Sequence, residues 1–348
     1  MLIKLPSRIE EIIPEWMTLA LGERHPGTVV KSVKPQSVLH GSATKINLQV
    51  TYEGETDLPA SFYLKGGFEE HGHEIQDGYL QEVRFYRMWA PRFQDVEMPR
   101  CYFAGADRDE GIAIMLLEDL NERNCTFNRA YNPLIVEHAQ GILGELAKIH
   151  SYSWRNRERR PGHLRDQHKH PFYKKMLTYY LPEGIAHEEL GEFVAGRYGD
   201  ADAITAALVN YWEELSPVTC AIHGDVHVGN TYITGDGQAG LLDFQTFSGG
   251  NWAREFTYFV VGSISIEERR AHLDELLDFY LEEMRRHGVK DAPSKEEAIL
   301  EVRRALLHGL FSWIACPLDM QPMKIVKPQT DRFAVACSEL DAFGALEA

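Results

Sequence analysis

Cysteine is scarce in this chain. Its 348 residues include five, at positions 101, 125, 220, 316 and 337. The number is odd, the positions are scattered and no two stand as CxxC, which fits reduced, buried thiols in a cytosol. Long apolar runs are missing too: nothing approaches the roughly 18 uninterrupted apolar residues of a membrane span. The opening MLIKLPSRIEEIIPEWM carries acidic residues and no small-residue cleavage site, so no signal peptide is expected. Basic charge is in deficit, with 36 Lys and Arg against 52 Asp and Glu, a net charge of −16. Such a balance argues against nucleic acid as a partner, because binding a phosphate backbone wants a basic field. There is no GxSxG and no GxxxxGK[ST], which removes the simplest hydrolase and P-loop readings. What is expected is a cytoplasmic protein without membrane contact. Hydrophobic residues make up 44% of the chain and charged ones 25%, and the length suffices for two lobes around a sizeable core.

The most informative segment is His223-Gly224-Asp225, with Asn230 five residues after the Asp and Asp243 thirteen further on. Val218 to Ile222 is a short apolar run that reads as a buried strand leading into it. Gly224 and Gly229 break any regular element, so HGDVHVGN is a loop. Thr231 to Thr234 returns as a strand, GDG turns the chain, and Gly240 to Phe244 runs back beside it. A strand, a polar loop and a hairpin are thus expected to bring Asp225, Asn230 and Asp243 to one edge.

That set of residues suits phosphoryl transfer. The reaction needs little covalent help from protein and much positioning and charge stabilisation. A carboxylate orients the attacking hydroxyl, and hard Mg²⁺ takes carboxylate and amide oxygens while keeping several waters. Asp225 reads as the base, and Asn230 and Asp243 as metal ligands. The Asp-to-Asn spacing equals that of the protein-kinase loop H-R-D-x-x-x-x-N.

Rival readings are weaker. His223 and His227 have zinc-like spacing, but the intervening glycine denies them a continuous helix. His223 is expected to brace the loop backbone and His227 to hydrogen-bond within it. His71 and His73 show no further clustering. GDGQAG at 235–240 matches G-x-G-x-x-G by letter, yet it precedes a strand instead of linking strand to helix, so it reads as a hairpin turn.

HGDVHVGN together with LLDFQ resembles the aminoglycoside phosphotransferase and choline kinase superfamily, in which Gly stands where protein kinases have Arg. The Asp243-Phe244-Gln245 ending is most similar to the ecdysteroid-kinase-like branch. The resemblance implies an α+β, protein-kinase-like two-lobed fold, with a small β-rich N-terminal lobe at 1–117 and a large, mainly helical C-terminal lobe at 118–348. It also implies ATP with Mg²⁺ and a hydroxylated small molecule as acceptor, and leaves the acceptor and the oligomeric state open.

The remaining kinase parts then follow in order upstream. Ala60 to Lys65 alternates and ends in a lysine at the position that contacts α/β-phosphates. In the helical segment Asp77 to Phe93, Glu82, Phe85, Tyr86 and Trp89 share one face. A carboxylate in an aromatic stripe needs a partner, and Lys65 is expected to supply it. Ser37 to Thr44 occupies the place of the phosphate-covering loop. Gly41, Ser42 and Thr44 read there as phosphate binders, or equally as part of an ordinary turn. Ile112 to Leu117 is an apolar strand ending where the superfamily places its hinge. Adenine would meet the carbonyl of Glu118 and the N–H of Leu120 there, with Leu39, Phe62, Leu117 and Phe244 either walling the adenine slot or simply core.

Beyond the hinge the pattern is helical. Val136, Ala139, Leu143, Leu146 and His150 form one stripe, and Ile204, Leu208, Tyr211, Trp212 and Leu215 another. Ser294 with Glu297 forms a capping-box pair opening a helix that Pro317 closes. The acceptor pocket is expected to draw on aromatic residues in 172–180 and 311–333. Arg155 to His170 is a basic stretch, read as a solvated loop or as a grip on an anionic acceptor. The acidic balance would attract a cationic acceptor or simply confer solubility. Glu255 stands where relatives carry Asp, and a structural role through the dipole of its helix is expected. Two function classes remain, an active kinase or a nucleotide-binding pseudokinase acting as an interaction module, with metal-dependent phosphate hydrolysis as a third.

Overall fold

The computed structural model describes residues 3–39, 43–68, 76–162, 170–194 and 197–348. Two compact units compose the chain. The first takes Met1–Cys125 and Leu242–Thr246, and the second takes Thr126–Leu241 and Phe247–Ala348. The division expected after Leu117 falls inside the first unit.

In the first unit, helix α1 (Pro14–Gly22) precedes strands β1 (Val30–Leu39), β2 (Thr44–Tyr52) and β3 (Ser61–Gly66), followed by α2 (Gln76–Arg84), β4 (Cys101–Asp107) and β5 (Ile112–Glu118). The strands form an antiparallel sheet in the order β1-β2-β3-β5-β4. Alternation dictates which face is buried: Ile46, Leu48 and Val50 of β2 enter the core with Leu64, Ile114 and Leu116, and Trp16, Met17 and Leu21 of α1 cover it. Directly after α2 the helix widens into a π-turn over Phe85–Trp89. Its ring Phe85 stacks on Phe244, with centroids 3.8 Å apart and planes 6° from parallel, so the short returning segment packs into this unit.

The unit extends past Leu117 for a local reason. Asp119 follows β5 and its carboxylate accepts from Ser61 Oγ at 2.5 Å, Asn47 Nδ2 at 2.7 Å and the N–H of Asn121 at 3.0 Å. The turn Leu120–Arg123 is thereby tied to β2 and β3. Burial alone would raise the Asp119 carboxyl, but these donors outweigh it and hold its pKa below the usual range.

The second unit is mainly helical: α3 (Val136–Ser153), α4 (Pro171–Lys175), α5 (Leu181–Ala186), α6 (Ala201–Asn210), α7 (Trp252–Ser263), α8 (Ile266–Arg286), α9 (Lys295–Ile314), α10 (Met323–Glu339) and α11 (Ala342–Ala345). Between α6 and α7 lie the short strands β6 (Cys220–Ile222), β7 (Thr231–Ile233), β8 (Ala239–Leu241) and β9 (Ser248–Gly250), with β6 paired to β9 and β7 to β8. The GDG segment is the β7–β8 hairpin turn, closed by Gly237 N–H to Thr234 O at 2.9 Å. Ser294 and Glu297 form the reciprocal capping box of α9. Every residue of α7 is buried, so this helix is the unit's centre rather than an amphipathic surface element. No helix among the described residues is long and apolar enough to cross a membrane.

Candidate functional site

In the second unit, the loop between β6 and β7 carries His223, Asp225 and Asn230. Gly224 adopts φ +91, a conformation that costs a side-chain-bearing residue and lets the chain reverse between His223 and Asp225. The turned backbone points two N–H groups at one carboxylate: His223 N donates to Glu255 Oε2 at 2.8 Å and Gly224 N to Glu255 Oε1 at 2.6 Å. Glu255 in turn pairs with His150 Nε2 at 2.8 Å, and His150 Nδ1 meets the Tyr280 hydroxyl at 2.6 Å. The chain of contacts therefore runs from α8 through α3 and α7 into the loop. Burial would raise the Glu255 carboxyl, but His150, His223 and the Gly224 N–H outweigh it and keep its pKa low. The structural role expected for Glu255, which lies in the first turn of α7, is carried by these direct bonds to the loop and to His150.

Nδ1 of His223 accepts from the Asp225 N–H at 3.4 Å, and Nδ1 of His227 accepts from the Gly229 N–H at 3.0 Å. Both histidines thus brace the loop. Asn230 directs its Nδ2 at Asp225, donating to the backbone carbonyl at 2.9 Å and to Oδ2 at 3.3 Å. With its nitrogen end so committed, its carbonyl oxygen is the end left for a cation. Sequence reasoning gave no role to Tyr258, whose hydroxyl donates to Asp225 Oδ1 at 3.1 Å. Because α7 is buried on every face, its sequence shows no exposed side that would distinguish this tyrosine from its neighbours.

In the first unit, Lys65 reaches two carboxylates. Its Nζ lies 2.7 Å from Glu82 Oε2 and 3.0 Å from Asp243 Oδ1, and the Lys65 side chain is 5% exposed. Burial would lower the ammonium, but Asp243 and Glu82 outweigh it and raise its pKa to about 12. Glu82 moves the other way from a normal pair: burial, aided by Asp243, raises its carboxyl despite Lys65. The buried cation is thus shared, not matched one to one. Asp243 adopts φ +66, unusual for a residue with a side chain, and keeps 20% of that side chain exposed. A carboxylate held in this way fits a hard cation such as Mg²⁺, as does the amide oxygen of Asn230.

The other expected nucleotide contacts fare unevenly. Thr44 opens β2 opposite Gly66 and is fully buried. Gly41, Ser42 and the histidines 71 and 73 lie outside the described residues. Glu118 ends β5, accepts the Arg100 N–H at 3.1 Å and lies opposite Phe62 of β3, and Leu120 begins the turn capped by Asp119. Of the suggested adenine walls, Phe62 and Phe244 have no exposed surface, so both are core, whereas Leu39 is 53% exposed. In the basic stretch, Arg155 pairs with Asp291 at 2.8 Å and Arg160 donates to the Val218 carbonyl at 2.6 Å, while 163–169 lie outside the described residues.

The fold has known counterparts. An ethanolamine kinase from Plasmodium vivax superposes with a TM-score of 0.51 at 12% identity, over 88% of this chain and 81% of that one. LicA in complex with AMP gives a TM-score of 0.52 at 13% identity, over 95% and 99%. The choline kinase LicA from Streptococcus pneumoniae gives 0.49 at 14% identity, over 90% and 94%. At such identity the first two establish the fold alone, α+β and protein-kinase-like. No curated protein matches the chain in sequence. The profile of the ecdysteroid kinase-like family matches residues 44–290, well over half of the chain and a span that includes Lys65, Glu82, Asp225, Asn230 and Asp243, so the chain belongs to the ecdysteroid kinase-like family.

Proposed function

We propose that the protein is an ATP-dependent small-molecule kinase of the cytoplasm that transfers the γ-phosphoryl group to a hydroxyl of a small metabolite or antibiotic. The observation that carries this reading is the buried Lys65 shared between Glu82 and Asp243. An ammonium held by two carboxylates is costly to bury, and phosphate oxygens from a nucleotide are the chemistry it would serve. Family membership and the AMP bound to one structural counterpart support an adenine nucleotide.

In this reading the first unit binds nucleotide. Lys65 orients α- and β-phosphates, Glu82 orients Lys65, and the Gly41–Thr44 segment with the backbone of Glu118 and Leu120 completes the nucleotide contacts. Asp243 of the first unit and Asn230 of the second are the candidate ligands for Mg²⁺, which would supply charge stabilisation for the phosphoryl oxygens. Asp225 accepts the proton of the acceptor hydroxyl as its oxygen bonds to phosphorus and ADP leaves. Ethanolamine and choline, named for the structural counterparts, belong among the acceptors to try, alongside hydroxysteroids, aminoglycosides and hydroxyacyl compounds.

The test is ADP production over such a panel by the wild type and by Asp225→Asn. The variant is expected to keep its affinity for Mg-ATP and to lose transfer by about 10²-fold or more. Unchanged turnover in the variant would remove the mechanism.

A further inference from the structure

We propose that Tyr258 is a positioning residue that fixes the carboxylate of Asp225 for catalysis. This rests on the reading of Asp225 as the base. The hydroxyl of Tyr258 donates to Asp225 Oδ1 at 3.1 Å, while Asn230 Nδ2 approaches Oδ2 at 3.3 Å. With a donor at each oxygen, rotation of the carboxylate about its Cβ–Cγ bond is opposed from both sides. The Tyr258 ring is itself fixed: it is 8% exposed and lies nearly parallel to Trp313, at 6.2 Å and 8°, and to Phe333, at 6.0 Å and 27°. Burial and the Asp225 charge hold the phenol well above its ordinary pKa, so it remains a proton donor.

Its place on α7 strengthens the inference. Tyr258 stands three residues after Glu255, one helical turn along the same face. Glu255 binds the loop backbone at His223 and Gly224, and Tyr258 binds the side chain of the next residue, Asp225. A single turn of a fully buried helix thus holds both the path of the loop and the rotamer of its reacting group. Orientation of this kind acts on turnover more than on nucleotide affinity, because the reacting oxygen must be aligned within a few tenths of an ångström.

The experiment uses the full chain with water as the acceptor, following slow ADP formation from Mg-ATP in single turnovers. Tyr258→Phe keeps the ring and removes the donor. Its rate is expected to fall about 10-fold or more, with KM for Mg-ATP unchanged within about twofold. Site-specific 3-fluorotyrosine at position 258, which restores a donor, is expected to recover the rate. A rate in Tyr258→Phe equal to wild type, with Asp225→Asn inactive, overturns the role of Tyr258 alone. A parallel loss in KM and rate that fluorotyrosine does not repair also overturns it, since that pattern marks a packing defect. A wild-type rate no faster than that of Asp225→Asn overturns the assignment of the base, and this proposal with it.

Discussion

Two regions of this molecule hold carboxylates by opposite means. In the first unit, Asp243 and Glu82 are held by charge, through an ammonium that both share. In the second, the loop of Asp225 is held by hydrogen bonds, from its backbone to Glu255 and from Tyr258 to the Asp225 carboxylate. A centre built on one cation fails as a whole when that cation is removed. A loop fixed by several donors loses its bonds one at a time. The contrast also separates the pH ranges in which each arrangement weakens.

The largest effect is expected from Lys65→Met. It leaves the buried Glu82 and the partly exposed Asp243 without their common cation, a loss of about 3–5 kcal/mol in stability, measurable as a lowered denaturant midpoint together with weakened Mg-ATP binding. A midpoint within error of wild type would show that charge does not hold the first unit. Glu255→Ala comes next. It strands the N–H groups of His223 and Gly224 and takes the carboxylate from His150 Nε2, at about 2–3 kcal/mol, and Tyr258→Phe in the same background should then add little further loss of turnover, because the loop is already adrift.

Smallest is the response to pH. The Lys65 pKa rises from 10.5 to about 12, so its contribution is complete below 10.5 and is lost as pH climbs through about 12. The Glu255 pKa is lowered from 4.5, so its contribution is present above 4.5 and is lost as pH falls through the lower folded value. Fluorotryptophan NMR can tell the two apart, with Trp16 and Trp89 reporting on the first unit and Trp252 and Trp313 on the second. Simultaneous change of all four signals at either extreme would erase the distinction.

The sequence made much of the first centre legible, for definite reasons. The β3 alternation ending at Lys65 and the aromatic stripe that isolates Glu82 are local patterns, and the DFQ ending marks Asp243 by letter. The hairpin turn, the capping box and the bracing histidines were likewise readable, because each depends on residues within a few positions. Contacts that span long distances in sequence were not. Glu255 meets a backbone more than thirty residues earlier, and nothing in its own segment announces an acceptor for two amide groups. Tyr258 was hidden by the uniform burial of α7, and Phe244 was left open between ligand wall and core because its stacking partner, Phe85, lies in a distant helix. The first unit extends past Leu117 because the side-chain bonds of Asp119 reach back to β2 and β3, which no hydropathy pattern reports.

The return of Leu242–Thr246 to the first unit has a practical outcome for anyone wishing to dissect this protein. The polypeptide passes from one unit to the other at three points, so no single scission yields both parts whole. A fragment truncated at Cys125 would retain Lys65 and Glu82 but forfeit Asp243 and the Phe244 ring beneath Phe85. The complementary fragment would carry that five-residue strip with nowhere to pack it. Reconstitution from halves therefore requires the strip to be grafted onto the first fragment, and modular exchange of either unit between relatives must carry it along.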